Sequence, residues 1–129
     1  MPANFAGKSE CLGRARFWQG RVPEAIQILA TVVDPDGTRR GEARGYLGYA
    51  YARTGRREEA EKLAVATGPF NEAVIFAGLG DKDRAFEALD RGATAGPFRM
   101  GRILTWPELA SLRGDPRVKA LRKKVGLPE

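Results

Sequence analysis

The sequence predicts an all-α chain of antiparallel helical hairpins, stacked as a short right-handed α-solenoid and closed by C-terminal capping helices. Three observations lead there. A glycine-to-alanine pattern recurs as Gly20-Arg-Val-Pro-Glu-Ala25, Gly55-Arg-Arg-Glu-Glu-Ala60 and Gly80-Asp-Lys-Asp-Arg-Ala85. Apolar residues on either side of each copy follow helical spacing. Small residues recur where paired helices would cross, at Gly13, Gly48, Ala25, Ala60 and Ala85.

Each element follows in chain order. Leu12 and Ala15 mark a first helix; beyond Gly20, Ala25, Ile26, Ile28, Leu29, Val32 and Val33 mark its partner, with Pro23 in the first turn, where a missing N–H costs nothing. Ala43, Leu47, Ala50 and Tyr51 give one face of the next helix, and Ala60, Leu63, Ala64 and Thr67 follow Gly55. Ala73, Phe76, Ala77 and Leu79 precede Gly80; Ala85, Phe86 and Leu89 come after it, with Asp81 placed to cap. A glycine ends a helix well because it reaches positive φ without a Cβ clash. The copies are spaced 35 and then 25 residues apart, so the connection around Gly68-Pro69 is trimmed and a shortened helix is expected after it. The three hairpins fill residues 1–97.

Residues 98–129 read differently. Phe98–Thr105 lacks a period and reads as a linker. Trp106, Leu109, Ala110 and Leu112 mark a short helix. Gly114-Asp115-Pro116 then gives a stop, an N-cap and a first-turn proline. Val118, Leu121 and Val125 make one face of a last helix, ended by Gly126 and Pro128, with Arg117, Lys119, Arg122, Lys123 and Lys124 on its other sides. A solenoid needs such an element, with one polar face, to close its core.

Composition removes several functions. Of 129 residues 43% are hydrophobic and 29% charged, ordinary for one folded domain. The longest apolar stretch, Ala73–Leu79, is far below the roughly 20 residues of a membrane span. No secretory leader is visible. Cys11 is the only cysteine, which fits a reducing, cytoplasmic setting. There is no histidine, which removes the commonest general base and metal ligand, so no metal or cofactor is expected and catalysis is not expected either. Glu58, Glu59 and Glu61 lie near Arg56, Arg57 and Lys62 and read as helix-surface pairs rather than an acid–base site. The net charge of +6 is uneven: residues 1–97 carry 14 basic and 13 acidic side chains, residues 98–129 carry 8 and 3.

The stretch Leu47-Gly48-Tyr49-Ala50-Tyr51, followed by Gly55 and Ala60, resembles the tetratricopeptide (TPR) signature. Leu12-Gly13 with Ala25 and Leu29 repeats part of it, and Phe76, Gly80, Ala85, Leu89 and Pro97 another part. Where that family has an early Trp, this chain has Ser9, Arg44 and Pro69, and the first copy has Arg16 in place of an aromatic. The run from Leu112 to Pro128 resembles the closing segment of TPR regions in bacterial signalling proteins. The resemblance implies a protein-interaction module holding a peptide or partner helix on the concave side formed by the first helices.

That surface is expected to carry Glu10, Arg14, Phe17 and Trp18 on the first hairpin, Glu42, Tyr46, Tyr49 and Arg53 on the second, and Asn71, Val74 and Gly78 on the third. Leu47, Ala50, Tyr51 and Thr54 would face the core instead. Arg14, Phe17, Trp18, Tyr46, Tyr49, Arg53 and Asn71 are the partner-binding candidates, since Tyr, Trp and Arg dominate binding hot spots. The carboxylate clamp that some TPR proteins use is not expected, because Glu10, Tyr46 and Thr67 stand at three of its places. Two alternatives stay open: self-association, as a homodimer or against a parent protein, through Phe5, Phe17 and Trp18; and nucleic-acid binding by the basic tail, against which stand the balanced charge and irregular spacing of the hairpins.

Overall fold

The computed structural model describes residues 3–33 and 42–127, and among these no strand occurs. The helices are α1 (Ala3–Trp18), α2 (Val22–Val32), α3 (Glu42–Arg53), α4 (Arg57–Ala64), α5 (Pro69–Leu79), α6 (Lys82–Gly92), α7 (Pro97–Ile103) and α8 (Pro116–Lys124), with 3-10 turns at Ala93–Ala95 and Pro107–Leu112. The side chains of Phe5 and Ser9, and the residues Gly41 and Pro128, lie outside the described part.

The recurring glycines make the same turn three times. Gly20, Gly55 and Gly80 have φ of +84°, +84° and +80°. Each donates its N–H to the carbonyl three residues back, and the next residue donates to the carbonyl five back: Arg21 to Arg16 at 2.9 Å, Arg56 to Tyr51 at 2.8 Å, Asp81 to Phe76 at 3.0 Å. This is the Schellman closure, which satisfies carbonyls that the helix end leaves open. Five residues after each glycine, Ala25, Ala60 and Ala85 make the first bond of the next helix, to Arg21, Arg56 and Asp81. All three alanines are fully buried. The Asp81 carboxylate also accepts from the Arg84 N–H at 3.1 Å, as its position predicts.

Consecutive helices pair across these turns: α1 with α2, α3 with α4, α5 with α6. The pairs are joined by α2 on α3, α4 on α5 and, most extensively, α3 on α5. The glycines show what the close approaches require. A methyl at Gly13 would run into Leu29 of α2, as expected for a crossing within one hairpin. Gly48 differs from expectation: a methyl there would meet Ile75 of α5, the neighbouring hairpin, rather than α4. Gly45 admits Asn71, and Gly78 of α5 admits Tyr49 and Ala52. Three missing side chains thus let α3 and α5 meet closely, which sets the cost of glycine inside a helix against a dense contact.

With α2, α4 and α5 around it, α3 is buried from Ala43 to Ala50, so the division into a core face and a solvent stripe does not hold there. Tyr46 and Tyr49 are buried, while Thr54, expected in the core, is exposed. Arg44, standing where a Trp was expected, is buried and donates to the carbonyls of Leu63 (2.9 Å) and Lys62 (3.3 Å), closing the end of α4. The shortening in the second half falls chiefly on α4, with 8 residues, rather than on α5, with 11.

The expected linker 98–105 is instead largely helical. Gly96 (φ +92°) and Pro97 open α7 as Gly68 (φ +96°) and Pro69 open α5, and Met100 and Ile103 of α7 are buried. The last helix is as expected. Asp115 caps it by accepting from the Arg117 N–H at 2.9 Å, and Leu121 is buried. It lies against α6, where Arg117 pairs with Asp83, Lys124 with Asp90, and the Arg117 guanidinium lies 4.4 Å from the centre of the Phe86 ring.

Candidate functional site

The surface formed by α1 and α3 is where most of the predicted partner-binding residues meet, and it is filled. The occupant is the chain's own segment Trp106–Leu112. Arg113 fixes the approach of this segment: its guanidinium donates to the carbonyls of Leu104 (3.2 Å), Thr105 (2.6 Å) and Trp106 (2.8 Å), gathering backbone groups freed at the end of α7. The 3-10 turn that follows buries Leu109 and Leu112 completely and carries Glu108 into the groove at 3% exposure.

Glu108 is met by two of the predicted residues. Arg14 donates from Nε to Oε2 at 2.8 Å and from Nη2 to Oε1 at 2.6 Å, a bidentate fork that matches carboxylate geometry. Trp18 donates from Nε1 to Oε2 at 3.1 Å. The same guanidinium lies 4.8 Å from the centre of the Tyr46 ring and 4.9 Å from that of Trp106, so it is held by two aromatic faces as well as by the acid. These charge-assisted bonds push the Arg14 pKa further up, against the burial that opposes it.

Aromatic rings line the rest. Phe17 makes edge contacts with Trp18 and Tyr49, with centroids 5.1 and 5.4 Å apart, and Tyr46 lies 5.7 Å from Trp106. The Tyr46 hydroxyl donates to Glu42 at 3.2 Å. Burial, and after it the Glu42 charge, lifts the Tyr46 phenol far above its ordinary range; burial also lifts Tyr49. Glu10 is pushed up too, first by burial.

The seven predicted residues thus divide. Arg14, Phe17, Trp18, Tyr46 and Tyr49 form one cluster around Glu108, with Trp18 still 47% exposed at its rim. Arg53 is exposed at the end of α3, where its charge acts on Tyr49. Asn71 is buried at the start of α5 against Gly45, its amide donating to the hydroxyl of Thr67 at 3.1 Å. Sequence reasoning missed Glu108 and Arg113. A single acid between Arg102 and Arg113, next to Trp106-Pro107, was the available signal for the first.

No helix among the described residues is long and apolar enough to cross a membrane. No family model matches the chain, and no match is found among curated proteins or solved structures.

Proposed function

We propose that the chain is a non-catalytic protein-interaction module: a short right-handed solenoid of TPR-like hairpins, working in the cytoplasm, whose α1–α3 groove receives a short peptide carrying a carboxylate between apolar residues. One observation carries this reading. The groove already holds such a segment, with the Glu108 carboxylate seated on Arg14 and Trp18 and flanked by Trp106 and Leu109. A forked guanidinium between two rings is chemistry by which proteins recognise carboxylates, and it supports reading this surface as a recognition site. The resident segment stands in for a partner's, and a partner enters by displacing it.

The three like turns and the α3–α5 contact support a solenoid, and α8, with its outer polar face, suits a terminal cap. The nucleic-acid alternative loses ground because Arg117 and Lys124 are engaged with acids of α6. Self-association keeps one supporting feature, the exposed Trp18 at the rim of the groove.

The test uses the full chain and a labelled peptide of its own residues 104–113. In the natural chain the tethered segment competes at an effective concentration on the order of millimolar, so the peptide binds weakly. Glu108→Gln removes the charge from the tethered copy and keeps its volume, so the peptide binds about ten-fold tighter or more. Adding Arg14→Ala to that variant abolishes the gain. Equal affinity for the natural chain and Glu108→Gln would reduce the segment to a structural plug and end the proposal.

A further inference from the structure

The tripeptide Gly-Pro-Phe occurs at 68–70 and again at 96–98, and both copies start a helix with the same backbone: a glycine N-cap at φ +96° or +92°, then proline in the first turn. The two phenylalanines end in opposite states. Phe70 is 7% exposed, its ring packed against Gly92 so closely that a Cβ there would overlap it. Phe98 is 86% exposed, the barest large hydrophobic side chain among the described residues. The helix start that is covered at α5 is uncovered at α7.

Beside Phe98 lies an open cleft of about 790 Å³, between the start of α5 and α7, with Ile103 and Trp106 in its wall. Two arginines line it. Arg102 faces Glu42 at 3.9 Å. Arg99 has its guanidinium 4.8 Å from the centre of the Phe70 ring and no carboxylate partner among the described residues. Stacking holds that fork in place before anything binds, so little side-chain freedom is lost when an anion arrives.

We infer that this cleft is a second binding surface, for an extended acidic peptide that lays an apolar side chain on Phe98 and a carboxylate on Arg99. The molecule supplies its own precedent, because Arg14, held between two rings, takes the Glu108 carboxylate in the same way. A nucleic-acid strand fits less well. It presents a charge at every step, while the cleft offers one unpaired guanidinium and the Glu42 carboxylate in its wall. The net charge of +6 draws an acidic partner toward the chain. The surface goes beyond the α1–α3 groove and needs no movement of the segment that fills it.

The probe is a labelled peptide of sequence Gly-Ser-Glu-Leu-Glu-Gly-Ser, titrated into the full chain. The probe saturates the natural chain, whose inner groove is filled, and keeps its affinity in Arg14→Ala, which removes the carboxylate receptor of that groove and so separates the two surfaces. Arg99→Glu and Phe98→Ala, both at exposed positions and each checked for an unchanged helical circular-dichroism spectrum, weaken it about ten-fold or more. A version with Lys in place of Glu does not bind. Absence of saturable binding, or unchanged affinity in Arg99→Glu, overturns the inference. So does a single-stranded oligonucleotide that binds, and loses affinity in Arg99→Glu, where the peptide does not.

Discussion

Residues 3–33 and 42–92 turn and pack with backbone bonds and apolar contact; residues 97–127 bury Met100, Ile103, Leu109, Leu112 and Leu121 in the same core and add ties of side-chain charge. In the first region the turns at Gly20, Gly55 and Gly80 close through backbone N–H groups alone, and α3 meets α5 where side-chain atoms are missing. In the second, Arg113 collects three carbonyls, Asp115 caps α8, Arg117 and Lys124 reach Asp83 and Asp90, and Arg14 holds Glu108. Backbone turns and apolar packing respond weakly to salt and pH. They fail when atoms are added or removed. The exposed pairs of Arg117 and Lys124 are individually weak and screened by salt, so the attachment of α8 is what solution conditions shift most, whereas the largely buried Arg14–Glu108 pair is screened much less.

Substitutions can sharpen or break this contrast. The largest effect belongs to the hairpins. Ile75 is fully buried and fills the space above Gly48, so Ile75→Ala should cost about 3–4 kcal/mol in urea unfolding, with the whole chain losing helicity together. Loss confined to the tail would break the contrast. Arg14→Ala comes next, at about 2 kcal/mol: it strands a buried carboxylate, but Arg14 is itself a quarter exposed, which keeps the cost below that of a fully buried pair. High salt should shrink this deficit only slightly, because Glu108 is buried, and should leave the Ile75→Ala deficit in place.

Gly55→Ala should cost about 1 kcal/mol, read as a lowered urea midpoint. Nothing crowds a methyl at that position, so the loss measures left-handed backbone strain alone. The smallest effect is acid-dependent. The hydrogen bonds from Arg117 hold the Asp115 carboxyl down at about 2. An aspartate in the unfolded chain titrates near ~3.9 and therefore takes up its proton first as pH falls. The contribution of this cap is complete above about pH 4 and is lost as pH drops toward 2. Fraying of α8 over that range, followed by the amide resonance of Arg117, checks the sign; fraying that sets in near neutrality would contradict it.

Local rules made the hairpin turns legible. A glycine followed five residues later by alanine states both the left-handed end of one helix and the first bond of the next, and both events depend on adjacent chain. The partner of Gly48 was not legible. A small residue announces close approach but not from which side, and Ile75 approaches from the next hairpin. Tyr46 and Tyr49 read as a solvent stripe because helical spacing locates a face without saying what covers it. Here α5 and the tail cover it, the latter through a pair separated by 94 residues, Arg14 and Glu108. No periodicity encodes such a contact. The helix at 97–103 was available in principle: Gly96-Pro97-Phe98 repeats Gly68-Pro69-Phe70, and position within a repeated tripeptide outweighed the weak apolar rhythm that suggested a linker.

Hydrogen exchange on the full chain, with Arg14→Ala against the natural sequence, tests most directly whether the groove holds its own segment by that one guanidinium. Amides of Leu109 to Leu112 should lose protection by about ten-fold or more while those of Val74 to Ala77 in α5 keep theirs. Equal loss in both stretches, or none in either, would show that the segment is not separately latched, and the groove would then have nothing to offer a partner.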